Sequence, residues 1–131
     1  MATPKQKLYE EMKSRFPELS DKFSNDKELP YLLMDHLADW LKELKGEIPS
    51  SIADRVAAFV RWCESQPRGK TADDDMSTIL AVGFYEHLFD SAKTRRLLPR
   101  LIPKSRMIES ASYLKQWIGA ENYEKALREY K

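Results

Sequence analysis

Thr71–Phe89 reads TADDDMSTILAVGFYEHLF, and its periodicity decides the fold class. Met76, Ile79, Leu80, Phe84 and Leu88 recur at spacings of three and four, so they share one helical face. Val82, Tyr85 and Phe89 fall on a second, adjacent face. A surface helix needs one apolar stripe, so a sector this wide marks a central helix. Thr71, Asp73 or Asp74 offers an N-cap, and the remaining acids sit at the positive end of the helix dipole. Gly83 lies in mid-helix, where glycine costs about 1 kcal/mol relative to alanine. Close approach of another helix accounts for it; the sharper alternative is a ligand or catalytic backbone that needs the space.

Outward from this stretch the chain repeats the helical pattern. Upstream, Leu8, Met12 and Phe16 form a stripe over about 3–16, with Thr3 as cap and Pro4 at the first helical position. Leu19 and Phe23 suggest a short further helix after Pro17. Leu33, Leu37, Trp40, Leu41 and Leu44 stripe a helix over 30–45, followed by Gly46. Ile52, Val56, Phe59, Val60 and Cys63 stripe the next, which starts at Ser50 or Ser51; Gln66–Lys70 is the clearest loop. Downstream, Pro99 and Pro103 forbid one long helix, so a short helix to about Leu98 gives way to an irregular or single-turn connection. Helices over about 104–118 and 121–130 close the chain. No stretch alternates with period two, so the expected fold is all-α, a compact single-domain bundle of six or seven helices over residues 1–131.

Composition narrows the function classes. At 131 residues the chain suits one domain with a sizeable core, and its charged fraction of 33% fits a soluble one. The N-terminal stretch lacks the apolar segment of a secretory signal, and no run is apolar enough for a membrane span. One cysteine, Cys63, excludes an internal disulfide framework and a cysteine-based zinc site. A cytoplasmic location is expected. A net charge of +1 gives the whole molecule no strong pull toward nucleic acid or anionic membrane.

Few patterns carry chemistry. The two histidines, His36 and His87, each neighbour an acid, Asp35 and Glu86 respectively, with Asp39 one turn beyond Asp35. A carboxylate–histidine site between two helices is conceivable, but the paired Glu-x-x-His signature and H-E-x-x-H are both missing, and no metal or cofactor is expected. Cys63 falls on a core stripe with no histidine beside it, which reads as a buried thiol. Neither G-x-S-x-G nor a phosphate-binding glycine loop occurs; Arg68-Gly69-Lys70-Thr71 matches only a fragment of the latter. Glu86 is the most suggestive single acid, because large apolar residues surround it in sequence.

The charge distribution is the stronger lead. Lys93, Arg95, Arg96, Arg100, Lys104 and Arg106 come in succession with no acid between Asp90 and Glu109, and Asp73, Asp74 and Asp75 form an opposing cluster. No aromatic residue interleaves the basic ones, so stacking on single-stranded bases is poorly supported.

The C-terminal segments DDDMSTILAVGFYEHLFD, LLPRLIPKSRMI and SYLKQWIGAENYEKAL resemble a family of small all-helical bacterial proteins of unknown function. The likeness rests on Phe84, Glu86 and Leu88, a Leu-Pro break, and Trp117 with Gly119, over roughly the last sixty residues. It carries no catalytic residue across. Small bacterial domains of this kind are often immunity-type toxin-neutralising or adaptor proteins, and the resemblance implies the same here by analogy.

These features support three expectations. The first is a non-enzymatic domain that binds a protein partner through Arg95, Arg96, Arg100, Lys104, Arg106, Asp73, Asp74 and Asp75. The second is a small enzyme or ligand-binding protein with Asp35, His36, Glu86 and His87 lining a pocket between helices. The third is nucleic-acid binding through 93–106.

Overall fold

The computed structural model describes residues 3–72 and 74–130. Every regular element in it is helical: α1 (Pro4–Arg15), a 3-10 turn (Pro17–Leu19), α2 (Ser20–Asn25), α3 (Pro30–Glu43), α4 (Ser50–Glu64), α5 (Met76–Leu80), a π turn (Ala81–Tyr85), α6 (Glu86–Leu88), α7 (Ala92–Arg95), α8 (Leu98–Leu101), α9 (Lys104–Glu109), α10 (Ala111–Ile118) and α11 (Ala120–Leu127). The all-α class holds, but the described residues contain eleven α-helical segments, not six or seven. The excess has local causes. Pro99 stands in the first turn of α8, Pro103 precedes α9, the π turn divides the central rod into α5 and α6, and Ser110 at φ −95°, ψ 9° breaks the expected 104–118 helix into α9 and α10.

One cluster of buried side chains runs from Leu8 to Ala126. The stripe Met76, Ile79, Leu80, Phe84 and Leu88 is wholly inside it, as its spacing requires. The adjacent face divides: Phe89 is buried, Tyr85 is partly buried, and Val82 is exposed. The central rod starts later than its sequence suggests. Its cap is Asp75, whose carboxylate accepts from the Thr78 amide at 3.2 Å, the Thr78 hydroxyl at 2.6 Å and the Gly69 amide at 2.9 Å. Gly69 is sterically required there, because a Cβ would lie 2.2 Å from the Asp74 carbonyl oxygen.

Gly83 answers to close approach. A Cβ at that position would sit 3.0 Å from Met34 Cβ and 3.3 Å from Tyr31 Cδ1, so α3 packs directly on the π turn. At the other end of the core, Phe16 meets Phe59 edge-on at 5.7 Å and Trp40 at 6.1 Å. Arg55 lies over Phe16 while donating to the Arg15 carbonyl at 2.6 Å and pairing with Glu18 at 2.6 Å, which fixes α4 to the end of α1. Trp40, Trp62 and Trp117 are all partly buried at the margin of the core.

A cavity at the π turn

The residues of the basic segment are occupied within the fold. Arg96 pairs with Glu47, Arg100 with Asp54 at 2.9 Å, and Arg106 with Glu64 at 2.6 Å. Arg95 donates to the Phe89 carbonyl at 2.9 Å, and Lys93 donates to the Leu44 carbonyl. Lys104 alone of the expected contact residues has no such partner among the described residues, and it is exposed. These pairs strap the 92–109 region onto α4 and the α3–α4 connection. Of the opposing acids, Asp75 is buried as the cap, Asp74 accepts from the Thr71 hydroxyl at 3.0 Å, and Asp73 lies outside the described residues.

The acid–histidine residues form two pairs. His87 Nε2 lies 2.9 Å from Asp35 Oδ1, joining α6 to α3. His36 Nε2 instead lies 2.6 Å from Asp26 Oδ2, at the end of α2. Glu86 has no ion-pair partner among the described residues; with His87, Phe89, Asp90, Trp117, Ile118 and Asn122 it lines an open recess of about 260 Å³. Among the described residues no three His, Cys, Asp or Glu side chains are grouped to hold a metal ion. Cys63 is fully buried, and burial pushes its thiol pKa far above the ordinary value of 9.0.

The more distinctive site lies where the central rod meets α9 and α10. A cavity of about 290 Å³ is walled by Leu80, Ala81, Phe89, Ile102, Met107 and Leu114, with Trp117 and Tyr113 on the α10 side. The paired Glu64 and Arg106 also line it, as do Ser77 and Ser110. A mainly apolar hollow with a few converging polar groups is the usual make-up of a ligand site, and this one lies near the lower end of the customary size range.

Tyr85 is its unusual member. The π turn carries a Glu86 amide to Ala81 carbonyl hydrogen bond, five residues back. The added residue rotates the downstream part of the rod relative to a regular helix, and turns of this kind recur at functional sites. The Tyr85 hydroxyl is buried, and it is the one buried side-chain N or O atom without a hydrogen-bond partner among the described residues. The Arg106 guanidinium, which donates to Glu64 at 2.6 Å, is also close enough to turn an N–H toward the phenol oxygen, but it has no acceptor to offer the hydroxyl proton. Burial, and then the nearby Glu64 charge, hold the Tyr85 phenol protonated far above the ordinary value of 10.0. Two other tyrosines show the contrast. Tyr123 donates to the Met107 carbonyl at 3.0 Å, and Tyr130 donates to the Ile102 carbonyl at 2.8 Å. Both acceptors belong to cavity-lining residues, so α11, through Tyr123, and the turn after it, through Tyr130, buttress the cavity wall. Burial also raises the Tyr130 phenol to about 12.

Residues 9–117 match the family described as Domain of unknown function (DUF7674). The chain belongs to that family. The match is not confined to the C-terminal half, as the sequence resemblance was: it begins in α1, takes in the whole central rod and ends in α10 at Trp117. Every cavity-lining residue therefore falls inside the family region, while the buttressing helix α11 falls outside it. No curated protein and no solved structure matches the chain.

Sequence reasoning passed over this cavity. Its only signal was the Tyr85 position on the second apolar face, and a tyrosine there reads as ordinary core.

Proposed function

We propose that the domain is a non-enzymatic binding module whose recognition site is the cavity at the π turn. The observation that carries this reading is the Tyr85 hydroxyl, buried with no acceptor for its proton against an otherwise well-satisfied interior. Leaving a buried hydroxyl unsatisfied costs roughly 1–3 kcal/mol, and a ligand that supplies an acceptor recovers much of it. Glu64 and Arg106 offset each other's charge at the site, which favours a neutral acceptor, such as a carbonyl or ether oxygen, on an apolar or aromatic body.

Ligand-observed NMR with aromatic fragments tests this. Saturation transfer is expected for fragments bearing such an oxygen, and it should vanish in Ala81→Trp, which fills the cavity. Signals that survive in a folded Ala81→Trp protein would place the binding elsewhere.

A second reading, capture of a protein partner, is favoured by Tyr113 and Ile108, which are 60% and 56% exposed on α10 and α9. Exposed aromatic side chains beside a hollow suit an inserted partner side chain. Loss of a stoichiometric partner from a lysate capture in Tyr113→Ser would support it. The same capture unchanged would remove that surface. Reversing the charge of Arg95, Arg96 and Arg100 is a less clean probe, because it also breaks the straps to Glu47 and Asp54.

A further inference from the structure

We propose that the ligand of this cavity is a hydrophobic amine, with its apolar body against Tyr85 and its ammonium group beside Glu86; this rests on the cavity being the binding site. The cavity and the Glu86 recess share two walls, Phe89 and Trp117. Helix geometry explains the sharing. At about 100° per residue, Phe89 projects between the directions of Tyr85 and Glu86, so the two hollows are neighbouring sectors around one rod.

Their chemistry differs sharply. The cavity is mainly apolar, whereas the recess presents Glu86, Asp90, His87 and Asn122 and no lysine or arginine in its lining. Three of those groups are already engaged: Asp90 with Lys42 at 2.7 Å, His87 with Asp35 at 2.9 Å, and the Asn122 amide, which donates to the Ile118 carbonyl at 3.0 Å. Glu86 is the carboxylate left over among the described residues, and it stands beside an aromatic wall. A carboxylate and an aromatic side chain, Trp117, in one lining suit an ammonium group, which both can attract. An anionic ligand end has no free cation in that lining to meet it.

The test uses three compounds of one shape: 4-methoxyphenethylamine, the matching 4-methoxyphenethyl alcohol, and 4-methoxyphenylacetate. Each is titrated by NMR into the wild-type protein and into Glu86→Gln. The amine is expected to bind the wild type roughly fivefold or more tighter than the alcohol, with the carboxylate weakest and the preference shrinking as salt rises. In Glu86→Gln the amine's advantage over the alcohol should fall to about twofold or less. Equal binding of amine and alcohol to the wild type overturns the inference and leaves the cavity reading standing, as does an advantage that persists in Glu86→Gln. If none of the three binds the folded protein, the cavity reading falls and this inference with it.

Discussion

Replacing Tyr85 with phenylalanine should make the free protein more stable. In most buried sites the same change costs stability, because the hydroxyl leaves a carbonyl or a donor without its partner. Here the hydroxyl proton has no acceptor to lose, and Arg106, the nearby donor, keeps its bond to Glu64. Its removal relieves a desolvated polar group worth roughly 1–3 kcal/mol and leaves a hole the size of one oxygen, so a net gain of about 1 kcal/mol is expected. For a chain of 131 residues that corresponds to a rise in Tm of about 3–5 °C. Two internal controls share the same wall. Tyr123→Phe strips the hydrogen bond to Met107 and Tyr130→Phe strips the one to Ile102, so each should lose about 1 kcal/mol. Urea unfolding of the three variants beside the wild type gives the comparison, provided the slopes agree. Opposite signs for Tyr85→Phe and the two controls are expected. A Tyr85→Phe variant that loses stability as the controls do would mean that the hydroxyl is satisfied in the free protein, and the case for a ligand-seeking group would fail.

Other perturbations probe the frame around the site. Gly83→Val should destabilise by about 2 kcal/mol in urea unfolding, because the Met34 Cβ that it meets cannot rotate away. Asp75→Ala should cost about 1–2 kcal/mol through loss of the cap, read by the same method. Hydrogen bonds, first from the Thr78 hydroxyl, lower the Asp75 pKa below its ordinary 3.8, so its contribution is present above that value and is lost as pH falls through the lowered one. The decline in stability on the acid side of pH 4 should accordingly be shallower in Asp75→Asn than in the wild type. Cys63 should react with a thiol reagent only as fast as the protein opens, since it is fully buried and burial raises its pKa; rapid labelling in native buffer would contradict this.

The helical class and the core stripes were legible because they depend on spacing within a segment. Leu8 and Met12, Leu33 and Leu37, and Met76, Ile79, Leu80, Phe84 and Leu88 are buried for the reason their periodicity gives. Where the rod begins was not legible: the sequence offers Thr71, Asp73 or Asp74 as cap, whereas the cap is Asp75, whose carboxylate also accepts from the Gly69 amide of the preceding loop. The break at Ser110 was equally hidden, because the apolar stripe runs through it without a glycine or proline. The basic segment misled for a different reason. Its neutralising partners Glu47, Asp54 and Glu64 lie 49, 46 and 42 residues away from Arg96, Arg100 and Arg106, so no local window shows them. The cavity needed the π turn, the α9–α10 break and the C-terminal tyrosines Tyr123 and Tyr130 together, three facts that no single segment encodes.

The most direct test of the central claim is the affinity of one oxygen-bearing aromatic fragment for the wild type and for Tyr85→Phe, measured by titration calorimetry. A loss of roughly five- to tenfold is expected in the variant, from one hydrogen bond, in a protein whose Tm has risen. Equal affinity in the two proteins would contradict the claim, because the hydroxyl would then take no part in recognition.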